Sequence, residues 1–300
     1  MIQTIPSAFA LRLFEEITFH TFEFGGTTVE IYGSKGSAKT TLMLKIAEKV
    51  HCESYKNGVE KEKVIWRGRD VDQWNWYPGK DVRVFVFYED DVKFYYEDGR
   101  RVDIEYSRYK NFDDILSNLG EFNVVYEPKN YIMPNELLEI IKRRAPEAET
   151  VKGAEHVLTE ACVDSSIWWF DFLYYLLHST NRPRFISVMI DEADEVFPEL
   201  PSGLRWHLQL WFKDIVKDLR KRNISLYFSA HSFSDVDFRI RSKVQYRILL
   251  KGAKVPKNSL INKTAPLFLP LGKAFIERDG FGIFAFDKLP TKQKILMEKL

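Results

Sequence analysis

Apolar residues follow two patterns along this chain, and together they predict an α/β fold. Short, mostly apolar runs at residues 29–32, 185–190 and 224–229 predict strands that are covered on both faces, as in a parallel sheet. After the second run, apolar positions recur every three or four residues, which predicts an amphipathic helix. These positions are Leu208, Trp211, Phe212, Ile215, Val216 and Leu219. We therefore expect a mainly parallel central sheet that is flanked by helices.

Residues 77–106 interrupt this alternation with three β-rich runs. The runs cover residues 82–88, 92–96 and 101–106. Asp98-Gly99 separates the last two runs, and this dipeptide between strand-like segments is a strong hairpin signal. We predict a small antiparallel β insertion, which is either a partner-docking surface or a lid packed by its own side chains.

The end of the chain carries a second hairpin signal. Asp279-Gly280 separates the β-rich runs 274–278 and 281–286, which predict a C-terminal β-hairpin.

A chain of 300 residues can form one α/β domain with an insertion or two small domains. We expect a single domain over residues 1–300, with the insertion at 77–106 inside it.

Further helices are predicted from periodicity and capping signals. They lie near residues 8–16, 40–50 and 166–178, and one more begins at Asn135 and extends to about residue 144. The most apolar of these stretches is interrupted by Asp171 and is too short to span a bilayer, so it reads as a core helix.

Composition excludes several classes of protein. The net charge is only +1 with 29% charged residues, so any contact with DNA must be local. Two cysteines, Cys52 and Cys162, provide neither a disulfide framework nor metal-ligand spacing. No signal peptide opens the chain, so a cytoplasmic location is expected. Plentiful Lys, Glu and Arg with scarce Gln is the bias of thermophile proteins.

The first candidate for chemistry is a phosphate-binding loop that follows the strand at residues 29–32. It matches the pattern GxxxxGK[ST] with one departure and comprises Gly33, Ser34, Lys35, Gly36, Ser37, Ala38, Lys39, Thr40 and Thr41. Backbone N–H groups and the positive end of the following helix would face phosphate oxygens. Lys39 would contact the β- and γ-phosphates of ATP, and the Thr40 hydroxyl would bind Mg²⁺.

Ala38 is the departure, since glycine is usual at this position. Glycine lets the backbone approach the phosphates closely, and a methyl group would crowd that approach. A glycine turn that simply joins a strand to a helix is the alternative reading of the loop.

The second candidate is an acidic pair that closes the apolar run 185–190. Asp191 and Glu192 follow this run directly, and ligands of open α/β sheets bind beyond the carboxyl ends of the strands. Asp191 would therefore face Mg²⁺ through water, and Glu192 would orient the attacking water. The alternative is a helix N-terminus with favourable acids, which explains Asp194 and Glu195 better than the first pair.

The order of these motifs resembles the FtsK/HerA superfamily of P-loop ATPases, including viral genome-packaging and Zot-like assembly ATPases. The similarity is best at residues 188–250. It comprises the acidic strand, a long helix ending in Leu219-Arg220, a strand ending in Ala230-His231, a basic segment around Arg241 and a strand containing Arg247. His231 replaces the usual glutamine, and an imidazole can also donate to a γ-phosphate.

The resemblance implies an ATP-hydrolysing motor that translocates double-stranded DNA as a homo-oligomer, expected to be a hexameric ring. Viral or plasmid genome packaging or transfer is the expected role, with a possible viral or membrane-associated protein partner. The neighbouring subunit would supply an arginine to the γ-phosphate, with Arg220 the first choice and Arg241 or Arg247 next. A lysine-rich segment could contact phosphates, and its residues are Lys251, Lys254, Lys257 and Lys263.

Two other functions remain open from the sequence. A replication initiator or loader of the AAA+ type would need a C-terminal helical lid, whereas the end of this chain is β-rich. A nucleotide-dependent switch or assembly factor with little hydrolysis is favoured by Ala38.

Overall fold

The computed structural model describes residues 7–56, 61–129, 131, 139, 143, 165–200, 204–290 and 292–299. The helix predicted to begin at Asn135 and the second cysteine, Cys162, lie outside the described residues.

The centre of the molecule is a sheet of ten strands with the order β12-β11-β10-β1-β9-β8-β2-β7-β3-β6. A separate three-stranded sheet has the order β13-β4-β5. The strands are β1 (Thr28–Tyr32), β2 (Lys63–Gly68), β3 (Val82–Phe87), β4 (Val92–Tyr96), β5 (Arg101–Val102), β6 (Ser107–Tyr109), β7 (Phe122–Tyr126), β8 (Ile186–Ile190), β9 (Ile224–Ala230), β10 (Tyr246–Leu249), β11 (Lys273–Glu277), β12 (Phe281–Ala285) and β13 (Ile295–Lys299).

Every pairing from β10 to β6 across the central sheet is parallel, whereas β11 and β12 are antiparallel additions at one edge. Strands β1, β7, β8 and β9 are buried along their whole length. Continuous burial explains their apolar runs, because helices cover both faces of a parallel sheet. The predicted α/β fold with a mainly parallel sheet is confirmed.

Helices lie on both faces of this sheet. They are α1 (Ala8–Glu16), α2 (Lys39–Lys56), α3 (Val71–Trp74), α4 (Phe112–Leu116), α5 (Ser165–His178), α6 (Leu204–Lys221) and α7 (Phe238–Arg241). One apolar cluster joins the sheet to α5 and α6, and a second joins its other face to α1, α2 and α3. Among the described residues, none of the helices combines the length and apolar character needed to cross a bilayer.

The predicted insertion at residues 77–106 is smaller than expected. Its first run is β3, which pairs in parallel with β7 and β6 inside the central sheet. Only β4 and β5 form the antiparallel hairpin, and β13 from the end of the chain completes their sheet. The assignment of β3 to the insertion was wrong, because the apolar pattern of a strand shows that it is covered but not which strand it pairs with.

The predicted C-terminal hairpin is present, with β11 and β12 antiparallel over residues Lys273–Glu277 and Phe281–Ala285. It extends the central sheet through β10. Because β1, β8, β9 and β10 are parallel, their carboxyl ends meet at one edge of the sheet. The predicted phosphate loop and the acidic pair both follow strands that end there.

Candidate functional site

The phosphate loop connects the carboxyl end of β1 to the first residue of α2, Lys39. Gly36 and Ala38 both adopt positive φ, at 77° and 71°. Glycine adopts this conformation freely, whereas an alanine there costs roughly 1–2 kcal/mol. The loop therefore has the strand, turn and helix context that the motif needs, and Ala38 holds a conformation that favours glycine.

Lys39 is folded back over this loop. Its Nζ atom donates to the carbonyl oxygens of Gly33 at 2.9 Å and Ser34 at 3.4 Å, and it lies 3.1 Å from Nδ1 of His231. Burial lowers the pKa of Lys39, while the charges of Asp191 and Asp194 act in the opposite direction. The site thus contains a largely buried cation close to the predicted γ-phosphate position.

Asp191 meets the loop from the carboxyl end of β8. The Thr40 hydroxyl donates to its carboxylate at 2.6 Å, and the Ser229 hydroxyl of β9 donates to the other oxygen. The Asp191 side chain is buried, and these two hydrogen bonds from α2 and β9 hold its carboxylate in place. Ser229 was not identified from the sequence, although it lies on β9 two residues before His231, which follows the strand at the same edge.

Glu192 has a less usual arrangement. Its backbone is left-handed, with φ 54° and ψ 57°, and its carboxylate forms an ion pair with Arg69. A non-glycine residue in this region is held there by its surroundings, and such strain concentrates at functional sites. Glu192 is thus next to Asp191 in space, but its carboxylate has a guanidinium partner.

The loop that carries Glu192 is held by a second arginine. Buried Arg67 on β2 donates to the backbone oxygen of Glu192 at 3.3 Å, and to the carboxylates of Glu195 at 2.7 Å and Glu127 at 2.9 Å. Arg69 also pairs with Glu195, at 2.9 Å. Neither arginine could be identified from the sequence, because the order of residues does not show that β2 lies beside β8.

The three candidate arginines differ in their surroundings. Arg247 is held between Glu30 at 2.5 Å and Glu277 at 3.2 Å, in register on β1 and β11, and Arg241 pairs with Glu199 at 3.2 Å. The Arg220 guanidinium has no ion pair among the described residues. Its backbone oxygen accepts from Gly26 at 2.9 Å, at the amino end of β1.

Arg220 therefore lies at the opposite end of β1 from the phosphate loop. Five strand residues separate the two ends, or roughly 15 Å. Arg220 thus lies at the amino edge of the sheet, and the chain does not bring this residue to its own phosphate loop.

The residues present fit ATP and Mg²⁺. The Ser37 hydroxyl is buried in the loop without a hydrogen-bond partner, and a phosphate oxygen would satisfy it. Within the described ranges, the chain has no group of three or more potential metal ligands. Thr40 and Asp191 alone suit Mg²⁺, which binds one or two carboxylates together with substrate phosphates rather than an all-protein cage.

A loop of this geometry at the carboxyl edge of a parallel sheet defines a P-loop NTPase fold. No family profile and no curated protein sequence matches the chain. Similar solved structures include the genome-packaging NTPase B204 of Sulfolobus turreted icosahedral virus 2 in complex with sulfate. That structure has 11% identity and a TM-score of 0.47, over 88% of this chain and 97% of that one.

Two further structures are similar over most of this chain. The N-terminal domain of zonular occludens toxin from Neisseria meningitidis has 11% identity and a TM-score of 0.39, over 88% of this chain and 96% of that one. EssC from Geobacillus thermodenitrificans has 16% identity and a TM-score of 0.40, over 92% of this chain and 42% of that one. The similar structures thus include a packaging NTPase and a zonular occludens toxin domain, which are kinds of protein that the sequence resemblance named.

Proposed function

We propose that the chain is an ATP-hydrolysing motor of the FtsK/HerA type that translocates DNA. One observation carries the proposal: four functional side chains from three strand ends converge at one edge of the sheet. They are Lys39, Thr40, Asp191 and His231. This is the set that a phosphoryl-transfer site needs to hold phosphates, bind a metal ion and sense the γ-phosphate.

Each residue has a distinct role in the proposed site. The amides of the loop and Lys39 bind the phosphates, and Thr40 with Asp191 would hold Mg²⁺, which when bound would neutralise developing phosphate charge. Glu192 orients the attacking water. Its pairing with Arg69 supports a site in which the glutamate must exchange its partner before water is activated.

The arginine that completes the site comes from a neighbouring copy of the chain. Arg220 is exposed, lacks a carboxylate partner among the described residues and lies far from its own phosphate loop. A head-to-tail contact that places the amino edge of one subunit against the carboxyl edge of the next closes into a ring when the rotation allows it. A hexamer around double-stranded DNA is the assembly that we propose.

Two alternatives have different support. A switch or assembly factor with little hydrolysis is favoured by strained Ala38 and by the Arg69–Glu192 pair. An AAA+ loader is disfavoured, because the described residues after 270 form strands β11, β12 and β13 rather than a helical lid.

Steady-state ATP turnover with and without double-stranded DNA tests the proposal. We expect Mg²⁺-dependent turnover that DNA stimulates, and no turnover in Lys39→Ala. ATP binding without turnover would favour the switch, and turnover indifferent to DNA would favour a protein-assembly ATPase. Native mass spectrometry with and without ATP and DNA would measure the size of the ring.

A further inference from the structure

The positions of Lys39, Asp191 and His231 fix the direction in which a nucleotide crosses the phosphate loop. Asp191 and His231 follow β8 and β9, which both lie on the same side of β1 in the sheet. The γ-phosphate belongs at this side, because Lys39, the metal ligands and the sensing histidine meet there. The nucleoside end must therefore leave the loop on the other side of β1.

Strand β10 lies on that other side, and its carboxyl end is level with the phosphate loop. The segment after it, residues 250–272, is attached directly to the loop. Both the backbone N–H and the hydroxyl of Ser34 donate to the carbonyl oxygen of Lys251 at 3.1 Å. Gly252 contacts Ser34 so closely that a side chain there would meet the serine hydroxyl at 2.6 Å.

A short helical turn, Ala265–Phe268, is attached to the same point. The N–H of Gly252 donates to the carbonyl oxygen of Pro266 at 3.0 Å, and Pro266 is buried. The next two residues are exposed, with Leu267 at 56% and Phe268 at 82% of their full area. An exposed phenylalanine on a turn fixed beside a phosphate site provides a planar apolar surface where a base would arrive.

Two polar side chains of the segment, Ser259 and Asn262, have partners away from the exposed turn. The Ser259 hydroxyl donates to Glu277 at 2.8 Å, and the Asn262 side-chain oxygen accepts from the Thr264 hydroxyl at 2.9 Å. Stacking, which every base can supply, is the interaction that the exposed ring of Phe268 offers.

We propose that Phe268, with Leu267 beside it, is the platform on which the base of the bound nucleotide stacks. The inference rests on the proposed nucleotide-dependent function and adds the base-binding part of that site. Because stacking reads the ring face rather than its hydrogen-bonding edge, ATP and GTP bind with similar affinity. CTP and UTP, with smaller rings, bind more weakly.

Photo-cross-linking with 8-azido-ATP and Mg²⁺ on the full chain tests the proposal directly. We expect the label on a peptide from residues 250–272, and we expect excess ATP and the Lys39→Ala substitution to abolish it. Labelling of a different part of the chain, with ATP binding intact, overturns the base platform and leaves the proposed function standing. Absence of any ATP binding refutes both.

Equilibrium binding of ATP and GTP to Phe268→Ala provides a second measurement. Because the variant loses one stacking contact with the base at an exposed platform, we expect both affinities to fall about tenfold. Leu260→Ala is the matched control. Leu260 is also exposed, at 57%, but its N–H donates to Glu277, away from the phosphate loop.

The results separate the base platform from a contact between copies of the chain. Unchanged nucleotide affinity in Phe268→Ala, or an equal loss in Leu260→Ala, overturns the proposal. A changed oligomeric state of Phe268→Ala with unchanged affinity would assign this surface to subunit contact instead.

Discussion

The Nζ atom of Lys39 lies 3.1 Å from Nδ1 of His231, and this contact fixes the histidine tautomer. A lysine ammonium only donates hydrogen bonds, so Nδ1 of the imidazole must accept and the ring proton must reside on Nε2. The histidine thus keeps one N–H donor for a phosphate oxygen. A glutamine offers the same combination of an acceptor for lysine and a donor for phosphate.

We therefore expect His231→Gln to retain turnover within about tenfold of the parent. His231→Ala removes the donor, and loss of one such donor typically lowers kcat by about 100- to 1000-fold. Steady-state ATP turnover of the two variants measures the difference. Equal losses in both would remove the hydrogen bond to phosphate from the role of His231.

Glu192 is expected to be the residue that orients the attacking water. Glu192→Gln should bind ATP normally and lose on the order of a hundredfold or more of turnover, because the amide cannot accept the water proton. Equilibrium ATP binding and single-turnover hydrolysis measure the two effects separately.

Glu195→Gln is the control, since Glu195 lies on the same loop and pairs with the same arginines. Its turnover should remain within about tenfold of the parent. Turnover of Glu192→Gln at the parental rate would remove Glu192 from the mechanism.

Local features of the sequence predicted the sheet and the two motifs well. The run before Gly33 and the run before Asp191 are apolar on consecutive positions, and such runs identify strands covered on both faces. The pairing of strands was less accessible. Strand β3 was placed in an antiparallel insertion and β13 was not predicted. The residues of a strand do not indicate which other strand it pairs with.

The same limit applies to the site. Residues within a motif, such as Lys39 and Thr40, could be assigned from spacing, since the loop and helix fix their geometry. Arg67 and Arg69 reach the acidic loop only because β2 pairs with β8, so their role depends on the order of strands. The amino-edge position of Arg220 likewise follows from how α6 enters β9.

Ala38 stores backbone strain that a glycine would remove. Its φ of 71° is costly for alanine, so Ala38→Gly should stabilise the fold by up to about 1 kcal/mol, or roughly 2 °C in Tm for a chain of this size. Differential scanning calorimetry measures the shift, and Ala47→Gly in the interior of α2 is the control, which should destabilise. A lower Tm for Ala38→Gly would contradict the strain.

Asp171 lies in the apolar helix α5, where the Tyr131 hydroxyl donates to it. Burial raises the pKa of its carboxyl from an ordinary value of 3.8 to about 6, although the hydrogen bond from Tyr131 acts in the opposite direction. Between pH 3.8 and about pH 6, the folded state therefore binds more protons than the unfolded state. Stability must fall as the pH rises through this window and stay lower above about pH 6.

Asp171→Asn removes this dependence while keeping an oxygen that accepts from Tyr131. We expect the variant to be more stable than the parent at pH 8, by at most roughly 3 kcal/mol, and the difference to shrink as the pH falls towards 4. Urea unfolding at pH 8 and at about pH 4 measures this difference in stability. Asp103→Asn, at a side chain that is 94% exposed, should show no such difference. A pH-independent effect of Asp171→Asn would exclude the titration.

Arg220 has no partner for its charge among the described residues and lies at the far end of β1 from the phosphate loop, so its proposed role requires a second subunit. Arg220→Ala should abolish turnover while ATP affinity stays nearly unchanged, because the loop that binds phosphate is intact. Turnover of the parent should rise more than linearly with protein concentration. Steady-state kinetics across a protein dilution series measure the turnover of the variant and the concentration dependence of the parent.

Mixing Arg220→Ala with Lys39→Ala distinguishes action between subunits from a local effect. Each variant alone is expected to be inactive, whereas a mixed ring contains interfaces that pair an intact loop with an intact arginine. Partial recovery of turnover is therefore expected, and native mass spectrometry verifies that mixed oligomers form. If such oligomers form and remain inactive, Arg220 does not act in the neighbouring site. Arg241, which pairs with the partly exposed Glu199, would then be the next arginine to test. Arg247 would follow, because two buried carboxylates hold it.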